Sequence, residues 1–398
     1  MNWIEEIKRL SEAEFENIVQ IRRHIHMHPE LSFFEEKTAK FISEKLKELG
    51  ILHKTGVAGH GIHGVLCGKK ESKACIFLRA DMDALPIQEE NEVEYKSKNL
   101  GVMHACGHDV HSASLLGALT ILKKLENHWG GKISFVFQPA EEKLPGGASI
   151  MIKEGVLNHP TPSSAFAQHV YTPLEAGVVG FREGMYMAST DEIYVDFIGK
   201  GGHAAVPQFN IDPIKAGSEF LLEVYKRFET NKPQDLPSIL AFGKINASGA
   251  TNVIPDKYCM EGTMRTLNEN WRKELKELIK VTAQEIADKH GAKVIVRIED
   301  GYPVLNNNIE LTQRAKAAAK QYLGEDKVVD LDLRMTAEDF AYFSQQLPVC
   351  FYRLGTGNKA LGITANVHNA HFNIDEEALK TGMGLMAWLA IKELESLA

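Results

Sequence analysis

The sequence predicts an α/β protein with a central, mostly parallel sheet and an inserted, ferredoxin-like α+β domain. Three observations carry this prediction. Continuous apolar runs such as Ala74-Cys-Ile-Phe-Leu78 read as strands buried on both faces, as in sheets covered by helices. Those runs end in polar, reactive residues, which is where open α/β sheets place their sites. The middle of the chain then switches to a β-α-β-β-α-β order, the split-βαβ plan.

Taken in order, a helix is expected over 11–24. Ser32-Phe-Phe-Glu35 has the form of a capping box and Gly50 that of a C′ stop. The helix between them would bury Phe34, Phe41, Ile42, Leu46 and Leu49. Three strands follow. Ala74–Leu78 runs into Arg79, Asp81 and Asp83; 132–137 runs into Gln138, Glu141 and Glu142; 164–167 runs into Gln168 and His169. A helix beginning near Asp109 carries Leu115, Leu116, Ala118, Leu119 and Leu122.

From Asp191 to Ile198 the pattern alternates as a half-buried strand. Asp212-Pro213 is an N-cap followed by proline, opening a helix to about residue 228. Strands are expected over 239–245 and 257–265, a helix over 270–290 and a strand over 292–299. A helix over 315–322, a strand over 349–354 and an amphipathic helix over 375–397, capped by Asp375, return to the first layer. The expected division is 1–185 with 303–398 as one domain and 186–302 as the insert. A chain of 398 residues exceeds what one ordinary core sustains.

Composition narrows the function classes. The chain is 44% apolar and 25% charged with a net charge of −8, which argues against nucleic acid as a partner. No apolar run approaches the ~20 residues of a membrane span, and the first six residues lack a signal-peptide pattern, so a cytoplasmic protein is expected. Five scattered cysteines do not form a disulfide framework. Cys67, Cys75, Cys259 and Cys350 lie in or beside apolar runs, whereas Cys106 has polar, ligand-like neighbours.

His104-Ala-Cys106-Gly-His108-Asp109-Val-His111 places a thiol, an acid and three imidazoles in eight residues. That density suits a transition metal. Cys106 and His108 with one of Glu141-Glu142, His169 and His371 make a thiolate, three imidazoles and a carboxylate, enough for two ions if one ligand bridges. Sulfur and imidazole favour zinc or a similar ion over magnesium or calcium. Adjacent carboxylates beyond a strand diverge, so one of Glu141 and Glu142 can bind metal while the other acts as general base. Asp81 and Asp83 are candidates to orient metal-binding histidines. His111 reads as support or packing, and His24, His26 and His28 as structural or surface groups.

Gly199-Lys-Gly-Gly202-His203 is a glycine-rich turn presenting one histidine. Two readings stay open: a hairpin with a surface histidine, or a donor to a developing oxyanion. Asn252 and Arg265, in the same insert, are structural if taken alone. Together they form a clamp for a carbonyl and a carboxylate, which Arg grips bidentately.

These motifs, with Arg23-His24-Ile-His26-x-x-Pro29-Glu30-Leu31-Ser32, Arg79-Ala-Asp81-Met-Asp83-Ala-Leu-Pro86, Phe137-Gln-Pro-Ala-Glu141-Glu142, Asn252-Val-Ile-Pro255 and His371-Phe, run end to end. Together they resemble the M20 metallopeptidase family, in its amidohydrolase branch of aminoacylases, hippurate hydrolases and auxin-conjugate hydrolases. The resemblance implies a catalytic domain, a lid domain that mediates homodimers, and two divalent transition-metal ions (zinc, manganese, cobalt or nickel). It implies Cys106 as the bridge, His108 and His169 on one metal, and Glu142 and His371 on the other. Glu141 matches the general base, His203 the lid histidine that reaches the partner's site in related dimers, and Asn252 and Arg265 substrate-binding positions. The implied activity is hydrolysis of N-acyl amino acids (N-acetyl, N-benzoyl or similar) to a carboxylate and a free amino acid. A dipeptidase or exopeptidase using the same chemistry is the alternative, and an inactive metal-binding protein a more distant one.

Overall fold

The computed structural model describes residues 2–398, which divide into two compact units. Of the described residues, the first comprises those up to 184, 306–332 and 339–398; the second comprises 185–305 and 333–338. The short segment 333–338, which the sequence reading leaves in the first domain, packs with the second unit.

The first unit is built on an eight-stranded sheet. Its central strands, Gly130–Gln138, Lys70–Asp81, Ser164–Glu175 and Val349–Gly357, are mutually parallel. The register pairs Asp81 with Gln138 and Arg353 with His169. The polar residues that follow each apolar run therefore gather at one end of the sheet, as parallel pairing requires. The hairpin His53–Val57 and Gly61–Cys67 extends one side antiparallel, and Val179–Phe181 with Val328–Asp330 closes the other.

Helices Trp3–Met27, His108–Lys124 and Ala378–Ser396 pack on one another beside this sheet. Every residue from His108 to Leu122 is buried, because sheet and helices enclose this helix on all sides. The C-terminal helix departs from expectation in the same way. It begins at Ala378, and its residues Gly382–Ile391 are all buried, so it is a core helix without an amphipathic face. Close approach demands glycine there: a Cβ on Gly384 would lie 2.1 Å from the Tyr322 hydroxyl.

The predicted capping box does not form. Helix Glu36–Glu48 starts after Glu35, whose side chain makes no cap bond, and Phe34 is 67% exposed. The turn is pinned instead by the bridge between Leu31 and Ala84. Ser32 Oγ donates to Asp83 Oδ2 at 2.7 Å, and buried Glu35 accepts from backbone amides. Both side chains thus serve the strand ends rather than the helix.

The second unit carries a four-stranded antiparallel sheet in the order Ile239–Asn246, Lys257–Arg265, Asp191–Ile198, Lys293–Asp300. Helices Pro213–Asn231 and Glu269–His290 complete the β-α-β-β-α-β succession. Asp212 and Asn268 cap them by accepting from the first-turn amides. Ile193, Val195 and Phe197 pack against Phe220, Val224, Leu275 and Ile279 to form its core. Among the described residues no helix is long and apolar enough to cross a membrane.

Candidate metal centre

At the polar end of the first unit's sheet, five side chains from four chain segments converge. Cys106 lies in the turn before helix His108–Lys124, and His108 opens that helix. Gly107 between them has φ +81°, and a Cβ there would meet Val170 at 2.5 Å, so only glycine lets both donors face the same space. His169 projects from strand Ser164–Glu175, Glu142 follows strand Gly130–Gln138, and His368 follows strand Val349–Gly357.

Two donor trios share Cys106: Cys106 with His108 and His169, and Cys106 with Glu142 and His368. Within each, the ligand atoms lie within 4.8 Å of one another. Cys106 Sγ is 3.4 Å from His169 Nε2 and 3.3 Å from His368 Nε2, and so belongs to both. His368 Nε2 is also 3.3 Å from Glu142 Oε1.

Supporting bonds leave the correct nitrogens available. His108 Nδ1 donates to Asp83 Oδ1 at 3.1 Å and His169 Nδ1 to the Val170 carbonyl at 2.8 Å. Each imidazole therefore turns Nε2 toward the cluster, the nitrogen that would bind a metal once it is deprotonated. Asp83 Oδ2 also accepts from the Glu142 amide at 3.0 Å, so one carboxylate holds a donor of each trio. Asp81 lies 3.7 Å from His108 Nε2, and its carboxylate takes His111 Nδ1 at 2.5 Å and Arg79 at 2.5 Å. His111 Nε2 in turn accepts from the Val170 amide at 2.9 Å, which occupies both its nitrogens.

The donor set fits a soft divalent cation. His108 Nε2 is buried without a hydrogen-bond partner, which is costly unless something else satisfies it. Burial, then the Glu142 and Glu141 carboxylates, push the Cys106 thiol well up. Burial opposes protonation of His108, yet Asp81, Asp83 and Glu142 carry it up to about 10. Such a concentration of negative charge calls for positive charge in its midst. Burial, then Arg353 and His111, hold His169 well below the usual histidine range, keeping it neutral.

The expectation for His371 is corrected. Its ring is 61% exposed and lies 3.1 Å from Glu90, in neither trio. The neighbouring Phe372 is fully buried, and a turn in which the His371 amide donates to Asn369 Oδ1 faces His371 outward. His368 occupies the place instead. It sits at φ +62°, a strained conformation for a non-glycine residue, and its amide donates to the Ala105 carbonyl at 2.7 Å. The Asn369 side chain, which accepts from the His371 amide, turns the two histidines apart.

Glu141 is 6% exposed and forms a further cluster with His108 and Glu142. Its Oε1 lies 3.4 Å from the Asp339 amide. Behind the centre, His26 is buried between Asp109 at 2.7 Å and Glu89 at 3.2 Å, while His24 stacks on Phe41. Neither belongs to the donor set.

The remaining expected residues lie in the second unit. His203 is exposed on a two-residue strand paired with Val253, beside Asn252, whose carbonyl accepts from the Ala204 amide. His203 Nδ1 accepts from the Ala205 amide at 3.1 Å, so Nε2 carries the proton. Arg265 ends its strand, bonded to Thr263 and to the Met264 carbonyl.

Residues 77–392 match the model of peptidase family M20/M25/M40. The chain belongs to this family. It is 38% identical to thermostable carboxypeptidase 2 of Saccharolobus solfataricus over 98% of this chain and 99% of that one. It is 40% identical to an N-acyl-L-amino acid amidohydrolase of Geobacillus stearothermophilus over 76% of this chain and 81% of the relative. Among solved structures, a dinuclear metal-binding M20 peptidase from Bacillus subtilis superposes with a TM-score of 0.84 at 33% identity, covering 96% of this chain and 99% of that one. As an M20 member the protein is a hydrolase.

Proposed function

We propose that the protein hydrolyses the amide bond of N-acyl amino acids, releasing a carboxylate and a free amino acid, with two divalent transition-metal ions held by Cys106, His108, His169, Glu142 and His368. The observation that carries this reading is the pair of donor trios sharing one thiol beside a second, distinct carboxylate. Similarity to the Geobacillus amidohydrolase supports the substrate class. The Bacillus dinuclear peptidase supports two ions.

When bound, divalent cations there would acidify water and polarise a carbonyl oxygen. The chain supplies the proton transfers. Glu141 accepts a proton from the attacking water and passes it to the leaving amine. Its carboxylate is held near the Asp339 amide and lies beside His108 and Glu142. His203 presents a protonated Nε2 and serves as donor to the developing oxyanion. Asn252 and Arg265 bind the substrate's carbonyl and carboxylate.

The second unit serves as lid and dimerisation domain, and His203 acts in the partner's active site. Mixing His203→Ala with Glu141→Gln chains tests this, because each dimer of one variant with the other would regain one intact site. Cytoplasmic residence completes the reading, since a reducing compartment keeps the five free cysteines, Cys106 among them, as thiols.

The test is Glu141→Gln with metal content measured alongside turnover. Loss of the general base should lower kcat by about 10²–10⁴ with metal retained. Near-wild-type turnover would refute the role. A second reading, carboxypeptidase or dipeptidase, is favoured by the full-length match to the Saccharolobus enzyme. Rates on N-acetyl, N-benzoyl, N-succinyl and aminoacyl substrates separate the two. Absence of hydrolysis across that panel with both metals bound would leave a metal-binding protein.

A further inference from the structure

The Ser32–Glu35 turn, freed from its expected capping role, bonds instead to the strand ends that carry Asp83 and Glu141-Glu142. Glu35 is fully buried, and its Oε1 accepts two amides: Phe33 at 3.0 Å and Ala140 at 2.8 Å. Ala140 has φ +52°, a left-handed conformation that costs an L-residue energy, and Phe33 has φ +72°. Ala140 immediately precedes Glu141-Glu142. The backbone turn at Ala140 sets the direction in which the chain leaves strand Gly130–Gln138, and so where both carboxylates go. The Ala140 carbonyl is also fixed, by the Gly147 amide at 2.9 Å, and Ala140 itself is fully buried.

We infer that Glu35 is a positioning residue: its carboxylate holds the strained Ala140 peptide that directs Glu142 into the donor set and Glu141 to the scissile amide. The Glu141 part rests on the general-base role proposed above; the Glu142 part does not. The position requires an acceptor oxygen rather than a charge. Burial, then the nearby Asp83 carboxylate, push Glu35 up to about 7, and Oε1 can accept in either protonation state. Glutamine offers the same acceptor, whereas methionine keeps the volume and removes it. Glycine at 140 adopts positive φ without support, so it should relieve the dependence on Glu35.

The test places Glu35→Gln and Glu35→Met in both the wild-type and Ala140→Gly backgrounds of the full chain. Zinc affinity is titrated against a chromophoric chelator, and kcat and KM are measured at saturating zinc. Glu35→Met should weaken one of the two zinc ions by about 10–100-fold, the range for groups that support ligands, and lower kcat more than it raises KM. Glu35→Gln should stay within about twofold of the parent, the scatter of non-interacting changes. In the Ala140→Gly background the methionine variant should recover most of the loss. Unchanged zinc affinity in Glu35→Met, a glutamine variant as poor as methionine, or no recovery with Ala140→Gly would each overturn the inference. Should Glu35→Met alone not fold, the double variant compared with Ala140→Gly decides, and a large loss there counts against it. If the wild type hydrolyses no amide, the functional reading fails while zinc affinity still judges Glu35.

Discussion

Replacing His368 and His371 separately by alanine tests the centre at its least expected point. His371 makes an exposed pair with Glu90, the two side chains being 61% and 60% exposed, and such pairs contribute about 0–1 kcal/mol. His371→Ala should therefore leave metal content, affinity and turnover near wild type. His368→Ala removes one of the three donors in the Cys106, Glu142, His368 trio. Residues that merely support a ligand cost about 10–100-fold in affinity, so loss of a donor should exceed about 100-fold for the ion at that trio. The other trio keeps Cys106, His108 and His169 and should retain its ion. Zinc titration of the metal-free protein against a chelator would then show one tight and one nearly lost site. Release of metal by His371→Ala, with both ions retained in His368→Ala, would refute the assignment.

Loading the metal-free protein at neutral pH should release about two protons per chain, because metal ligands bind deprotonated. The Cys106 thiol lies well above its usual range through burial and then Glu142, while Asp81 and Asp83 outweigh burial to bring His108 up to about 10. Affinity should accordingly rise with pH until those groups lose their protons unaided. Calorimetry in buffers of different ionisation enthalpy counts them, and a count near zero would contradict the donor set. Asp83→Asn removes the carboxylate shared by His108 and the Glu142 amide and should weaken metal binding by about 10–100-fold, read by the same chelator titration. Gly107→Ala combines a positive φ, costing about 1–2 kcal/mol, with a Cβ 2.5 Å from Val170, an overpacking of about 1–3 kcal/mol. It should lower the unfolding midpoint in denaturant together with metal affinity, and an unchanged midpoint would show that the turn relaxes freely.

Local chemistry made much of the site legible. His108, His169, Glu141 and Glu142 could be singled out because each follows an apolar run or opens a helix, Cys106 because its neighbours are ligand-like, and parallel strands bring strand ends to one end of a sheet. His368 could not be separated from His371 in this way, since both lie in one loop without periodicity. Their opposite fates follow from the burial of Phe372 and the backbone reversal at His368. Ser32 and Glu35 misled for a related reason. Their spacing satisfies a local capping rule, but a bridge from Leu31 to Ala84 draws the turn onto the strand ends, and tertiary bonds replace the cap.

By itself, then, the sequence determined the four central strands of the first sheet but not its edge strands, the β-α-β-β-α-β order of the middle segment and the chemical kind of the donors. Those depend on hydrophobic period, caps and residue type, which act over a few residues. Only the tertiary structure decided which histidine completes the second trio, that Asp83 rather than Asp81 holds His108, and that the final helix is buried on every side. Each is a contact between segments far apart in the chain, selected by the packing of the whole core, and no local pattern encodes it.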